Sequence, residues 1–253
     1  MKKILLFVVL SVFLAFSMCY ADSDDVELAS CNWSPYGAEE LHDGGFTVKI
    51  MEEAFERSGY DADFSFLPWK RALVGTERGK YDGLFSAYYS EERAEKFYPS
   101  DPYASTELVL CARKGFKLST YDNIKDLSGY LFGVVRGYDN TPAIDDADYI
   151  KKDYAKSDLQ NLKKLLNNRV DLIVIDKTLA IYQLKNSAAL NANLDDVKFL
   201  TPAVAKRPIH IMFSRATANG KHLTEKFNAG LKEIKADGTY KNILDEYGFS
   251  ELN

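Results

Sequence analysis

The sequence predicts an α/β protein built from two similar lobes, and three observations support this prediction. Short apolar runs typical of buried strands alternate with segments of helical periodicity along the chain. Two stretches, at 72–87 and 162–177, repeat one order of helix, turn, aspartate and strand. A chain of 253 residues with 46% hydrophobic residues also has the size and the apolar content for two modest lobes.

Residues 1–21 have the pattern of a secretory signal peptide. Two lysines precede an almost wholly apolar stretch at 4–16, and the CYA at 19–21 resembles a small-x-small cleavage site. The apolar stretch is shorter than the roughly 20 residues that a membrane span needs. We therefore expect residues 22–253 to be an exported, soluble chain.

Charge and residue spacing argue against several functions. The net charge is −5 and the chain has no basic run, which is unfavourable for binding nucleic acid or an anionic membrane. The three histidines are far apart and neither CxxC nor HExxH occurs, so we expect no metal site and no cofactor. Cys31 and Cys111 lie in apolar, strand-like runs, which favours two buried thiols, although export would permit a disulfide.

The first half of the chain alternates between strand and helix patterns. In the longest helical segment, residues 46, 48, 50, 51, 54 and 55 form one apolar face and Gly59 is a stop signal. The predicted elements are strand 26–31, helix 44–60, strand 61–69, helix 71–81 and strand 82–89.

The second half repeats this alternation. Leucines at 159, 162, 165 and 166 share one helical face, and the continuous apolar run after Asp171 is typical of a strand covered on both sides. We interpret Asp82 and Asp171, at matching places, as structural turn residues. The predicted elements are strand 107–115, turn 123–127, strand 130–140, helix 158–170, strands 171–178 and 209–215, and helices 222–237 and 238–248.

In this order and spacing, the chain resembles the bacterial extracellular solute-binding proteins of family 3, the polar amino acid receptors of ABC importers. The resemblance covers essentially the whole mature chain. The segments that carry it are NWSPYG (32–37), PWKRALVGTERGKYDGLFSA (68–87), SEERAEKFYPSDPY (90–103), DNIKDLSGYLFGVVRGYDN (122–140), NNRVDLIVIDKT (167–178) and ADGTYKNILDEYG (236–248).

The resemblance implies a two-lobed periplasmic-binding-protein type II fold with two hinge crossings and a ligand cleft between the lobes. Lobe 1 is then expected at 22–105 and 205–253, and lobe 2 at 106–204. The lobes of such proteins close around the ligand by a hinge motion. The implied protein is a periplasmic monomer that binds a small solute and delivers it to an ABC permease in the inner membrane.

The resemblance also assigns a carboxylate-binding role to Arg93, in SEERAEKF. A guanidinium is a planar fork that can meet a carboxylate with two hydrogen bonds. Ser86 and Tyr88 lie where the family places further carboxylate contacts, and Tyr88 stands where a threonine is common. The alternative is that Arg93 is a surface helix residue paired with Glu91 or Glu95.

In the second lobe, the resemblance places an acid for the ligand's ammonium at Asp176. The alternative for Asp176 is a helix cap after the strand, a common role for aspartate. Gly137 and Tyr138 fall in the segment whose backbone reaches the ligand. Arg136, just before them, is a possible second cation or a structural surface residue.

Three aromatic residues, Trp33, Tyr36 and Trp69, fall where the family places the walls of the cleft, and ordinary core packing is the alternative for the two tryptophans. Arg71, in PWKRAL, resembles a variant subgroup. If Arg71 and Arg136 join Arg93 at the site, the pocket favours a ligand with more than one negative charge. Both of these arginines are otherwise solvated or structural.

The leading functional hypothesis is a binding receptor that catalyses no reaction. The first alternative is an exported dehydratase on the same fold that acts on cyclic dienyl acids, since fold alone does not fix function. Such an enzyme needs a general acid, and because no histidine lies near the cleft segments, an aspartate or glutamate would serve. The second alternative is a sensing module that presents its bound ligand to a receptor kinase.

Overall fold

The computed structural model describes residues 25–250, so the predicted signal peptide lies outside the described residues. Ten strands of this part of the chain form one sheet in the order β2-β1-β3-β10-β5-β8-β6-β7, with β4 beside β10 and β9 beside β5. The strands are β1 (Asp25–Ser30), β2 (Asp61–Phe66), β3 (Gly83–Tyr88), β4 (Phe97–Pro99), β5 (Ala104–Arg113), β6 (Leu131–Val135), β7 (Lys151–Ala155), β8 (Leu172–Asp176), β9 (Val197–Phe199) and β10 (Ala205–Ser214).

Helices cover both halves of this sheet. They are α1 (Phe46–Arg57), α2 (Trp69–Glu77), α3 (Glu91–Lys96), α4 (Pro142–Asp145), α5 (Asp158–Leu166), α6 (Lys177–Asn186), α7 (Gly220–Ala236) and α8 (Thr239–Glu246). None of the helices in residues 25–250 combines the length and apolar character that crossing a bilayer requires.

Two long strands join the halves of the sheet. β5 and β10 pair antiparallel from Ala205 opposite Leu108 to Ile209 opposite Ala104. Beyond this shared segment, β5 continues beside β8, and β10 continues beside β3. These strands are the two crossings that the family resemblance predicts.

Each half contains a set of parallel strands, as the alternating pattern predicts. β1 lies parallel to β2 and β3 in one half, and β6 lies parallel to β7 and β8 in the other. The two aspartates at matching places have matching roles: Asp82 accepts a hydrogen bond from the Glu27 amide at 3.0 Å, and Asp171 from the Leu131 amide at 2.9 Å. Their prediction as structural turn residues is confirmed.

Several elements are absent from the sequence prediction. The chain forms α4, α6 and the short strands β4, β7 and β9 where no element was expected, and α3 where a helix was considered only in the alternative for Arg93. The strand predicted at 171–178 ends at Asp176, and α6 begins at the next residue.

Helices α1 and α7 pack closely because Gly230 has no side chain. The apolar face predicted for α1 is buried and includes Phe46, Ile50, Met51 and Phe55. A Cβ on Gly230 would overlap the backbone carbonyl of Ala54 in α1. Close contact between the two helices therefore depends on glycine at this position.

We expect Gly230→Ala to lower the free energy of unfolding by about 1–3 kcal/mol, because an added methyl group must push the two helices apart. Gly129→Ala is the matched control, since a Cβ there meets no atom within 4 Å. Its effect should stay within about 0.5 kcal/mol. Urea unfolding of both variants measures the difference, and equal stability of the two variants would contradict the packing argument.

Candidate ligand-binding site

The candidate site lies where the carboxyl ends of the parallel strands of both halves meet. Cys31 follows β1, Tyr88 ends β3, Gly137 follows β6 closely and Asp176 ends β8. Ligands in α/β sheets usually bind at such strand ends.

A small cavity of about 20 Å³, which we call the inner cavity, marks this place. Its volume admits about one water molecule. Six of its lining residues were predicted from the sequence, and Cys31 and Asp139 were not. The full set is Cys31, Trp33, Trp69, Ser86, Tyr88, Arg93, Tyr138 and Asp139.

Arg93 is buried, with 8% of its surface exposed, although it belongs to the short helix α3. The hydroxyl of Ser90 caps this helix by accepting the Arg93 amide at 3.3 Å. The guanidinium donates to the carbonyl oxygens of Tyr88, at 2.7 Å, and Gly137, at 3.3 Å. None of the ion pairs in residues 25–250 includes Arg93, so it is not a surface residue paired with Glu91 or Glu95.

Gly137 connects the two halves through its carbonyl group. The Trp69 indole N–H donates to this oxygen at 2.8 Å, and the Arg93 guanidinium lies 5.3 Å from the Trp69 ring. Gly137 has φ of 81°, a conformation that side chains rarely adopt. The glycine turn of the second half thus accepts two donors of the first half.

Asp176 caps α6 and contacts the opposite half. Its Oδ1 accepts the Leu179 amide at 2.7 Å, and its Oδ2 accepts the Tyr36 hydroxyl at 3.2 Å. The capping alternative is therefore confirmed. Tyr36 stacks on Trp33 with ring centres 4.5 Å apart. Burial raises the pKa of Asp176 to about 7.

A second buried acid, Asp158, was missed by the sequence analysis. Its Oδ2 accepts the Tyr138 hydroxyl at 2.8 Å, and burial raises its pKa to about 6. The Cys31 sulfur lies 3.8 Å from the same hydroxyl. The signal in the sequence was the helix start SDLQ, which indicates a capping role for Ser157 but not a buried acid beside it.

Two residues that line the inner cavity have unsatisfied hydroxyl groups. Ser86 Oγ and Tyr88 OH are buried, and neither forms a hydrogen bond with a described residue. Ser86 also has φ of 56°, a strained conformation for a non-glycine residue. Buried hydroxyls without partners are uncommon, and they are groups that a ligand can satisfy.

A larger cavity of about 760 Å³, which we call the outer cavity, adjoins the inner one. Arg93, Tyr138 and Asp139 line both cavities and so form the boundary between them. Arg207, which the sequence analysis missed, also lines the outer cavity. Its guanidinium lies 4.8 Å from the Tyr88 ring and donates to Asp139 at 3.0 Å.

Four predicted site residues line neither cavity; Tyr36 and Asp176 are buried, and the other two lie on the surface. Arg71 and Arg136 are exposed and line neither cavity, and Arg136 instead lies 5.6 Å from the Tyr154 ring. The structure therefore does not bring the three arginines together, and the argument for a multiply charged ligand loses its basis.

The structure also shows the state of the two cysteines and the spacing of the metal-ligating side chains. Cys31 and Cys111 are free, Cys111 is buried, and Cys31 is half-buried at the inner cavity. Within residues 25–250, no group of three metal-ligating side chains is close enough to hold an ion.

The chain belongs to the bacterial extracellular solute-binding proteins, family 3, whose model matches residues 29–251. It is 25% identical over 207 residues to the probable amino-acid-binding protein YxeM of Bacillus subtilis (strain 168), covering 80% of this chain and 75% of that protein. It is 26% identical over 210 residues to ABC transporter arginine-binding protein 1 of Escherichia coli (strain K12), covering 80% and 81%.

Among solved structures, an ancestral arginine-binding protein bound to arginine has a TM-score of 0.74 at 22% identity, covering 88% of this chain and 98% of that one. The predicted family and the two-lobed type II fold are confirmed.

We expect the free energy of unfolding to fall less with rising pH in Asp176→Asn than in the wild type. The folded pKa of about 7 lies above the ordinary value of 3.8, so the native carboxyl binds a proton that the unfolded chain releases. The stabilisation of the native state by this bound proton is complete below about pH 4, and it is lost as the pH rises through about 7. Asparagine caps helices equally well and does not titrate there.

Urea unfolding of the wild type and Asp176→Asn at several values between about pH 4 and pH 8 measures this dependence. Asp148→Asn, at an exposed position, controls for the loss of one negative charge. The same pH slope in the wild type and in Asp176→Asn would contradict the expectation.

Proposed function

We propose that this protein is the exported receptor of an ABC importer and that it captures a small carboxylate solute without catalysing a reaction. Membership of a solute-binding family supports a receptor, and the names of two relatives, an amino-acid-binding and an arginine-binding protein, support an amino acid or a related carboxylate. The observation that carries the carboxylate is the buried guanidinium of Arg93.

A buried cation without an anionic partner is unfavourable, and a ligand carboxylate supplies that partner. Burial lowers the pKa of Arg93. Its two hydrogen bonds go to neutral carbonyl groups, whereas a guanidinium has five N–H donors. A carboxylate at this place accepts further N–H groups of Arg93, and Ser86, which lines the inner cavity with Arg93, has an unsatisfied hydroxyl that is a further donor.

The groups that form hydrogen bonds across the cleft come from both halves, which supports capture of the ligand by closure of the lobes. Trp69 and Arg93 of the first half donate to Gly137 of the second, and Tyr36 donates to Asp176 across the same gap. These hydrogen bonds form only with the halves together, so their separation opens the site. The lobes at 22–105 with 205–253 and at 106–204, the permease partner, the monomeric state and the periplasmic location are parts of this proposal.

We expect Arg93→Ala to abolish ligand-induced thermal stabilisation. In the wild type, a ligand at about a thousand times its Kd should stabilise the native state by roughly 4 kcal/mol. Arg93→Lys keeps the charge but loses the planar fork, so it should give a smaller effect than the wild type. A thermal-shift screen against amino acids and small mono- and dicarboxylates, followed by calorimetry, measures the difference.

Arg78→Ala is the control, because Arg78 is an exposed arginine that lines neither cavity. It should bind ligand like the wild type. Undiminished binding of a carboxylate by Arg93→Ala would overturn the proposed role of this residue.

A further inference from the structure

The inner cavity is too small for an amino acid, and two tyrosines are among the residues that line it. Its volume is about 20 Å³, against about 760 Å³ for the outer cavity. Sites that enclose whole organic ligands have volumes of about 300–1,000 Å³. Tyr88 is buried at the wall of the inner cavity, and the hydroxyl of Tyr138 is fixed by Asp158. The space for a ligand body is therefore in the outer cavity.

The acid expected to bind an α-ammonium is also out of reach. Asp176 lines neither cavity, and its two oxygens already accept Leu179 and Tyr36. Next to Arg93, Asp139 is engaged by Arg207 at 3.0 Å. Neither Asp176 nor Asp139 is thus free to take an ammonium one carbon away from the carboxylate.

Unengaged acids are instead found at the wall of the outer cavity. Neither Glu92 nor Asp146 makes a side-chain hydrogen bond or an ion pair with a described residue, and both are exposed at the cavity wall. Four basic side chains also line this cavity, and two of them, Lys96 and Arg207, are paired with Glu77 and Asp139. The acids that line it are Glu77, Glu91, Glu92, Asp139, Asp145 and Asp146.

Exposed aromatic rings also concentrate at this cavity. Tyr89 and Tyr154 are 38% and 51% exposed, and they are two of the three large hydrophobic side chains that are exposed in residues 25–250. Both line the outer cavity, Tyr89 from the first half and Tyr154 from the second. Exposed tyrosines from both halves at one cavity are suited to contact an extended ligand.

We infer that the ligand is a zwitterion with widely separated charges, of the class of dipeptides and tripeptides, and that its body lies in the outer cavity. The inference rests on the proposed function, since Arg93 takes the terminal carboxylate. The ammonium then lies near Glu92 and Asp146, and the chain between them contacts Tyr89 and Tyr154. Tyr138 determines this preference, because its ring excludes a compact α-amino acid.

The test is calorimetric titration of the protein, refolded to remove any ligand carried through purification, with dialanine, trialanine, free alanine and free arginine. Wild-type protein should bind a peptide at least about tenfold more tightly than either free amino acid. Glu92→Gln with Asp146→Asn should weaken peptide binding by at least about threefold. Both positions are exposed, so this variant should keep its fold.

Tyr138→Ser opens the inner cavity and should gain binding of a free amino acid. Tyr138→Phe keeps the ring and should retain the peptide preference of the wild type. Circular dichroism checks that both variants are folded, and the Glu92 and Asp146 variant provides the test if Tyr138→Ser is not.

The outcomes separate the inference from the proposed function. Equal or tighter binding of free amino acids by the wild type, lost in Arg93→Ala, overturns the inference and supports the receptor. Unchanged peptide binding in the Glu92 and Asp146 variant also overturns the inference. If no peptide, amino acid or small carboxylate binds, the proposed function itself fails.

Discussion

The antiparallel pairing of β5 with β10 is the constraint on which the arrangement of the site depends. These strands share five residue pairs, and each then continues into the sheet of one half. Backbone hydrogen bonds therefore join two sets of parallel strands whose carboxyl ends turn toward one another. Arg93, Gly137 and Asp176 are far apart in sequence, and this pairing brings them to a common cleft.

The cleft concentrates buried ionisable groups that have neutral partners. Arg93 donates to carbonyl oxygens, Asp176 accepts an amide and a tyrosine hydroxyl, and Asp158 accepts another tyrosine hydroxyl. Burial without opposite charge raises the pKa of Asp158 to about 6 and of Asp176 to about 7. Such an arrangement is less stable than an apolar interior, and shifted pKa values of this kind mark functional sites.

Strong periodicity made much of the fold predictable, and its absence explains the missed elements. The apolar face of α1 and the continuous run of β8 are local signals, and both elements form where expected. β7 has the polar sequence KKDYA and buries only Ala155, so it shows no alternation. α6 was missed because it begins directly after β8, with Asp176 serving as both strand end and helix cap and no loop between them.

The sequence by itself determined the family, the order of the strongly periodic elements and six of the eight residues at the inner cavity, because these depend on local patterns and on the order of short segments along the chain. The tertiary structure decided which of these groups meet. Tyr138 reaches Asp158 and Cys31, while Arg71 and Arg136 remain on the surface. The division of the cleft into an inner cavity of about 20 Å³ and an outer cavity of about 760 Å³ could likewise not be predicted from the sequence. A cavity volume depends on side chains from several distant segments packing together, and no local pattern records that packing.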